Sequence, residues 1–260
     1  MKTPLVHISV PSIYKIETTS IPLPKRMARC TPDMALAILG IAHDLGVAGG
    51  KLVLSDLFRS YDMQFQAYMD HISGKKKHFS PPPGGSMHEA GRAFDLDLKA
   101  LGPVTLAAFW QIAAKHKVRP IIDTPSKGQS EAWHFDCPGS HAEVYDHYKA
   151  GRGTNMTAYQ AMAASAILSI GERVNRFKGN EKAAFIQSAL IRLGETSVGN
   201  IDGEIGQKTL RALAAQGIPF NGLDEAVLAV EEKLREIFPE EYAMDLTLSA
   251  ADEPADLVPA

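Results

Sequence analysis

The sequence predicts an α+β domain, in which helices pack beside a small and mainly antiparallel sheet, followed by a domain made of helices alone. Before residue 150, β-rich segments alternate with segments whose apolar residues recur three or four apart, as on one face of a helix. After the glycine-rich segment 151–155, only the helical period remains. This segment is therefore the predicted boundary between a domain at 1–150 and a helical domain at 156–238.

The elements of the first domain are predicted in chain order. Residues 1–24 are punctuated by prolines and predict an extended arm or an edge strand. Thr31 and Pro32 have the order of an N-cap and a first helical residue, which predicts a helix from there. Pro120 predicts an edge position for its strand, because proline lacks the N–H that a central strand needs. The further predicted elements are a strand at 52–58, a helix at 62–71, a loop at 73–85, a strand at 92–98, a helix at 103–117, a strand at 118–122, a strand at 133–135 and a helix at 141–149.

The second half is predicted to contain four helices. They are expected at roughly 156–177, 181–193, 206–216 and 223–237, from the spacing of their apolar residues. The remaining segment, 239–260, contains six acidic residues and no basic one, and it lacks the bulky apolar residues that a packed segment needs. It is predicted to be a disordered acidic tail.

Composition limits the classes of function. The chain has 260 residues, 45% of them apolar, and a formal net charge of −3, which gives no argument for nucleic-acid binding. No run approaches the roughly 18 apolar residues of a membrane span, and the first residues lack the apolar core of a signal peptide. We therefore expect a soluble product that is made without the usual secretion signal. Cys30 and Cys137 are too few for a disulfide framework, and they are interpreted as two separate thiols, with pairing as the alternative.

Two short segments contain the residue types that bind zinc. Catalytic zinc sites take three protein ligands from His, Asp, Glu and Cys and leave a fourth position to water, whose pKa falls to about 7. His88, Asp95 and His134 meet this requirement, and Glu131 is a carboxylate that is suited to take the proton of such a water. The same residues also fit an ordinary core, with the two histidines hydrogen-bonded to Asp95 and Asp97. The residue types alone leave both interpretations open.

Strand periodicity places conditions on such a site. His88 precedes Asp95 by seven residues, so one flat strand would put the two side chains on opposite faces. Gly91 lies between them and can supply the bend that brings them together. Glu131 is three residues before His134, and we expect it to lie just outside the strand that carries His134. A position on the opposite face of one regular strand would contradict its role as a base.

Three motifs, in the expected order, resemble the LAS-type zinc peptidases, a group that includes lysostaphin, the D-Ala-D-Ala metallopeptidases and hedgehog proteins. They are Phe-Arg-Ser-Tyr-x-x-Gln at 58–64, Ser-x-His-x-x-Gly-x-Ala-x-Asp at 86–95 and Glu-x-Trp-His at 131–134. The chain is most similar to the D-Ala-D-Ala carboxypeptidase and dipeptidase branch, which includes vancomycin-resistance enzymes. The resemblance covers residues 25–150 and implies the hedgehog/DD-peptidase-like fold.

The resemblance implies a zinc ion held by His88, Asp95 and His134, with Glu131 as the catalytic base. It also implies that Arg59 stabilises the negative charge that develops on the substrate oxygen, an effect of about 10²- to 10³-fold for such donors. The substrate-binding residues that it implies are Gln64, Ser86 and Trp133. The alternatives from the sequence itself are a surface salt bridge for Arg59 and a turn-capping hydroxyl for Ser86.

A second resemblance lies in the helical half. Phe-Ile-Gln-x-x-Leu at 185–190 and Asp-Gly-x-x-Gly-x-x-Thr at 202–209 are similar to the motifs of peptidoglycan-binding modules. Gln207 stands where proline is common in these modules, and further helices flank the matching segment. The alternative is an ordinary helical hairpin. A module of this kind would raise the concentration of an attached enzyme at the cell wall.

The resemblances together imply a zinc-dependent peptidase that cuts peptidoglycan stem peptides. Both a D-Ala-D-Ala carboxypeptidase and an endolysin-type endopeptidase, such as one that cleaves L-alanyl-D-glutamate, are consistent with the motifs. Since no usual secretion signal is recognised, we expect phage lysis or a secretion machine to bring the protein to the cell wall. The alternative is a zinc-containing protein without catalysis, which binds the wall or belongs to a particle. The presence of Arg59 and Glu131 argues against that alternative.

Overall fold

A six-stranded and mainly antiparallel sheet forms the centre of the structure, a computed structural model that describes residues 2–243. The described strands are β1 at Val6–His7, β2 at Pro11–Ile16, β3 at Thr19–Pro22, β4 at Arg29–Cys30, β5 at Leu54–Asp56, β6 at Ala93–Leu96, β7 at Arg119–Pro120 and β8 at His134–Asp136. The strand order is β3-β2-β5-β6-β8-β7, and only β2 and β5 pair in parallel. Strands β1 and β4 form a separate antiparallel pair. With helices beside this sheet, the predicted α+β class is confirmed.

The predicted helices are present in the described part of the chain. They are α1 at Pro32–Val47, α2 at Tyr61–Ile72, α3 at Leu106–Lys115, α4 at Ala142–Lys149, α5 at Ala158–Ser169, α6 at Glu181–Arg192, α7 at Gln207–Ala215 and α8 at Leu223–Ile237. Helix α5 ends eight residues before the predicted end at 177, and a 3-10 turn at Asn175–Phe177 follows it. None of the described helices combines the length and the apolar composition that a bilayer span requires.

The two edges of the sheet explain the proline-rich segments. The predicted arm at 1–24 contains β2 and β3, which form a hairpin with β3 at the edge of the sheet. The structure thus contains the edge strand that was one of the two expectations for this segment. Pro120 lies in β7, the opposite edge, where the missing N–H interrupts no central ladder.

The apolar side chains form two cores, and the second core crosses the predicted domain boundary. The first core lies between the sheet and helices α1 and α3, where Phe109 meets Phe135 edge to face at 4.9 Å between ring centroids. The second core lies among the later helices and also includes Met87 and Ala93 from the first half. The two halves therefore share a packing surface, and the boundary at 151–155 stays a prediction about chain organisation.

Two buried arginines connect the halves through one carboxylate. The Nη1 atom of Arg92 donates to Asp33 at 2.7 Å, and its Nη2 atom lies 3.2 Å from Glu241. Arg192 donates to the same Glu241 carboxylate at 2.8 Å and to the hydroxyl of Ser140 at 2.7 Å. Because a buried charge without a partner is strongly destabilising, these contacts hold the C-terminal part of the described chain against both halves.

The predicted acidic tail therefore begins inside the fold. Its first residues form a 3-10 turn at Pro239–Glu241, in which Glu241 is buried. Gly139 has a φ of +54°, and a Cβ atom there would meet Glu241 and Arg92 at 2.5 and 2.6 Å, so this close approach requires glycine. The rest of the predicted tail, 244–260, lies outside the described residues.

The two cysteines are separate thiols, as predicted, and the alternative of a disulfide between them does not occur. Cys30 lies on β4 and Cys137 follows β8, and both side chains are buried and free. Burial, with the Asp33 carboxylate, raises the pKa of both thiols. Both are therefore protonated at neutral pH and are weak nucleophiles.

Removing the shared carboxylate should destabilise the fold. We expect Glu241→Ala to lower the free energy of unfolding by about 3 to 5 kcal/mol, because it leaves buried guanidinium charge without its acid. Urea denaturation measures this change. The matched control is Asp224→Ala, which removes an exposed ion pair with Lys182 and should change stability little. A loss as small as that of the control would contradict the proposed importance of the buried pair.

The neighbouring His141 should make the fold sensitive to acid. Burial, with the charges of Arg192 and Arg92, holds the pKa of His141 well below its usual value, so the folded protein keeps this ring neutral. The unfolded chain takes up a proton below about pH 6.5, and the folded chain does not, so the stability present above that pH is lost as the pH falls. The expected slope is at most about 1.4 kcal/mol per pH unit for one proton.

Comparing the wild type with His141→Asn isolates this contribution. Urea denaturation at pH 7.5 and at pH 5.5 should show a larger loss of unfolding free energy for the wild type, because asparagine does not titrate. The difference should exceed about 1 kcal/mol. Equal losses in the two proteins would show that His141 does not contribute to the pH dependence.

Candidate metal centre

Two neighbouring strands and a turn bring the predicted metal ligands together. His88 lies on a 3-10 turn at Met87–Ala90, Asp95 on β6 and His134 on β8. Asp95 and His134 are direct partners in the antiparallel pairing of these strands. Each of the three buried residues offers one ligand atom, and the three atoms lie within 4.8 Å of one another. The arrangement is a candidate site for a metal ion.

The predicted bend between His88 and Asp95 occurs at Gly91. This residue has a φ of +64°, in the left-handed region that glycine adopts most easily. A Cβ atom there would lie 2.9 Å from the Cα atom of Cys30, so the chain also passes too close to β4 for a side chain. The bend turns His88 back toward the face of β6 that carries Asp95.

Hydrogen bonds determine which nitrogen each imidazole offers. The Nδ1 atom of His88 lies 2.7 Å from the carbonyl oxygen of Leu57 and is assigned as the donor, so Nε2 faces Asp95 at 3.3 Å. The Nε2 atom of His134 lies 3.0 Å from Asp136, and its Nδ1 atom lies 2.9 Å from Asp95. An oxygen partner on the far nitrogen is the arrangement that orients metal-binding histidines.

The charges of the site balance one another. Burial opposes the charge of Asp95, but His88 and His134 outweigh it and hold the pKa of this carboxyl well below its usual range. Burial also opposes a proton on His134, yet Asp136 and Asp95 raise its pKa to about 10. The positive charge of His134 therefore satisfies two buried carboxylates in this structure. A divalent cation would supply that charge instead, and two imidazoles with one carboxylate are a donor set that zinc accepts.

Glu131 lies just outside strand β8, as the sequence analysis expected. Its φ is +66°, and its carbonyl oxygen accepts the backbone N–H of His134 at 3.0 Å, so the chain turns between the two residues. Its side chain lines the same cavity as the three candidate ligands. A left-handed conformation at a residue other than glycine stores about 1 to 3 kcal/mol of strain and is frequent at functional sites.

Arg59 faces the candidate ligands. Its Nη2 atom lies 3.4 Å from Asp95, while Nε donates to Asp56 at 2.6 Å and Nη1 donates to Gln64 at 3.2 Å. Only 11% of its side chain is exposed. The guanidinium is held at three points and lines the cavity, so the alternative of a surface salt bridge does not describe it.

Gln64 is buried behind Arg59. Its Oε1 atom accepts from Arg59, and its Nε2 atom donates to Ser80 at 3.1 Å and to the carbonyl of Pro81 at 2.6 Å. Both amide hydrogens are therefore engaged within the protein. In this conformation Gln64 positions the guanidinium and the loop that follows α2, and its direct contact with a substrate stays a prediction.

Ser86 and Trp133 both line the cavity. The hydroxyl of Ser86 accepts the backbone N–H of His88 at 3.3 Å, and Glu89 accepts the backbone N–H of Ser86 at 3.2 Å, which forms a capping box. The turn-capping interpretation thus describes the hydrogen bonds of Ser86. Trp133 meets the ring of His78 edge to face at 4.7 Å between ring centroids, so these two aromatic rings form one wall.

The site opens into a cavity of about 850 Å³. The candidate ligands, Glu131 and Arg59 lie on the sheet and on the turns beside it. Helices α4 and α5 also contribute to the lining, with Tyr145, Lys149, Tyr159 and Met162. The volume lies in the range of ligand pockets, roughly 300 to 1,000 Å³. The helical half thus contributes to the cavity through α5.

Asp136 and Tyr159 were not among the predicted site residues. Asp136 follows His134 by two residues, so strand periodicity places both side chains on one face. This spacing could have predicted Asp136 as a partner of His134. The histidine partner is Asp136 instead of the expected Asp97, whose carboxylate accepts the backbone N–H of Lys99. Tyr159 lies on α5 beside Asp136, and burial together with this carboxylate raises its pKa well above the usual value. No local pattern connects Tyr159 to the strand.

Comparisons with known proteins identify no family for the chain. No protein-family model matches it, and no curated protein matches it. Among solved structures, the LdcB LD-carboxypeptidase, described for its peptidoglycan recognition, is 19% identical at a TM-score of 0.38, over 51% of this chain and 66% of that one. The L,D-carboxypeptidase DacB from Streptococcus pneumonia is 20% identical at a TM-score of 0.32, over 52% of this chain and 85% of that one. The chain spans slightly less than two thirds of the first structure, and at these scores neither likeness carries a functional argument.

The partner of His134 provides a test of the metal centre. We expect Asp136→Asn to weaken zinc binding by about 10- to 100-fold, because the carboxylate that orients His134 loses its charge. Competition with a chromophoric chelator at constant pH measures the zinc affinity. The control is Asp123→Asn, an exposed carboxylate that lines the same cavity and should leave the affinity unchanged. A wild type without zinc affinity, or equal affinities in wild type and Asp136→Asn, would contradict the assignment.

Proposed function

We propose that the chain is a zinc-dependent peptidase that hydrolyses peptidoglycan stem peptides. The observation that supports this most is the convergence of three candidate ligands, Glu131 and Arg59 on one cavity. A metal site, a base and a cation beside it are the parts that amide hydrolysis requires. The three peptidase motifs support the stem peptide as the substrate class.

The residues would divide the chemistry as follows. When bound to His88, Asp95 and His134, zinc would lower the pKa of a water molecule toward about 7 and polarise the scissile carbonyl. Glu131 takes the proton of the attacking water and delivers it to the leaving amine. Arg59 stabilises the negative charge on the carbonyl oxygen, and because its existing contacts hold it in place, little reorganisation is needed during the reaction.

The same residues serve either proposed cleavage. A carboxypeptidase that removes a terminal D-Ala and an endopeptidase that cleaves L-alanyl-D-glutamate both need a base, a cation and a polarised carbonyl. Ser86 and Trp133, which line the cavity, are proposed to contact the peptide on either side of the cleaved bond. Mass analysis of muropeptides after digestion identifies the bond.

The role of the second module belongs to the same proposal. Gln187 accepts the backbone N–H groups of Asp202 and Gly203, both at 2.9 Å, and donates to Asp202 and to the carbonyl of Glu204. The glutamine of the first motif and the Asp-Gly turn of the second are therefore one hydrogen-bonded unit. The folding of the helix pair is enough to explain why the two motifs have this spacing in the sequence. Wall binding by this module is therefore proposed from the resemblance alone.

The base provides the test of the function. We expect the zinc-loaded wild type to release peptide fragments from purified sacculi, and Glu131→Gln to be slower by about 10²- to 10⁴-fold with unchanged zinc content. Mass spectrometry of the released fragments and metal analysis of both proteins provide these values. The control is Glu172→Gln, an exposed carboxylate that does not line the cavity, which should retain full activity.

Two outcomes would contradict the proposal. Full activity of Glu131→Gln would exclude its role as the base. A wild type that holds zinc and binds sacculi but releases no fragment would favour the second candidate, a zinc-containing wall-binding or particle protein without catalysis.

A further inference from the structure

Two positively charged side chains that line the cavity contact one aromatic ring. Arg119 lies on β7, Lys149 ends α4, and Tyr145 lies one helical turn before Lys149. The guanidinium carbon of Arg119 is 5.1 Å from the centre of the Tyr145 ring, and the Nζ atom of Lys149 is 5.5 Å from it. Both cations thus contact the same ring within the range of cation–π attraction.

Neither cation has an acidic partner. Within residues 2–243, no carboxylate lies within 4 Å of Arg119 or Lys149, although neighbouring Lys115 and Lys117 both have one. The contacts of the two charges are the Tyr145 ring and, for Arg119, the sulfur of Met162 at 3.5 Å, and neither partner carries a formal negative charge. A carboxylate that reaches both cations would form charge-assisted hydrogen bonds with them.

The position of these cations connects them with the reaction site. Arg119, Tyr145 and Lys149 line the same cavity as the candidate metal ligands, Glu131 and Arg59. Of the carboxylates that line this cavity, Asp95 and Asp136 are paired with histidines, and Asp123 and Glu131 form no ion pair with either cation. A peptide that occupies the cavity would therefore meet Arg59 at the reacting carbonyl and Arg119 and Lys149 elsewhere on the lining.

We propose that Arg119 and Lys149, braced by Tyr145, bind a second carboxylate of the peptide and select acidic substrates. This inference rests on the proposed peptidase function and names the substrate class. A glutamyl residue that uses one carboxyl in a peptide bond keeps the other free, and amidation removes that charge without changing the chain length. Arginine offers a planar pair of donors to a carboxylate, and lysine adds a point charge.

Two matched peptides test the inference in the full zinc-loaded protein. Both contain L-alanyl-D-glutamate whose glutamate continues into the peptide through one carboxyl, and the other carboxyl is either free or amidated. The value of kcat/KM is measured for each peptide. The wild type should prefer the free acid by about 10-fold, the value of one hydrogen bond to a charged group. Arg119→Gln and Lys149→Gln should each lower kcat/KM by about 10-fold on the free acid, mainly through KM, and by less than about 2-fold on the amide.

A control variant and a binding measurement separate the possible failures. Lys115→Gln removes a cation outside the cavity and should keep the preference. Calorimetry with Glu131→Gln measures binding of both peptides independently of cleavage. Preferential binding of the free acid without cleavage by the wild type would support this inference and refute the proposed function. No preference in either measurement, or an equal loss on both peptides in the glutamine variants, would overturn the inference.

Discussion

The hydrogen bond between Asp95 and His134 is the interaction on which the candidate site depends. It joins β6 and β8 at 2.9 Å, and both groups are buried. Buried charges must be paired, so His88 on one side and Asp136 on the other complete a row of alternating acids and imidazoles. A slip of one residue in the register of β8 would move both His134 and Asp136 to the opposite face. The proposed function therefore requires this register between β6 and β8.

The helical half supports this row directly. Helix α5 packs against the turn that carries His88, and its Tyr159 lies beside Asp136. The same half contributes Tyr159 and Met162 to the lining of the cavity. A chain with a merely tethered module would not need these contacts. The helices are part of the proposed active site, whatever they also bind at the cell wall.

The elements differ in how well the sequence predicted them. Helix α8 has the predicted bounds, 223–237, and α1 begins at Pro32, as the N-cap signal predicted. Some strands were predicted longer than they are: the segment 52–58 contains only β5 at Leu54–Asp56. Its register with β6 shifts within these three residues, and pairing of this kind depends on the neighbouring strand more than on local propensity.

The sequence by itself determined the local features of this protein: the helical periods, the bend at Gly91 and the motif that places His88 seven residues before Asp95. These depend on neighbours along the chain, so residue order is enough to predict them. Only the tertiary structure decided that Gln64 is buried behind Arg59, that Glu241 joins Arg92 to Arg192, and that Arg119 and Lys149 meet at Tyr145. Glu241 is distant in sequence from both arginines, as Arg119 is from helix α4, and Gln64, five residues from Arg59, is held by Ser80 and Pro81. Packing of these segments, which residue order does not show, brings them together.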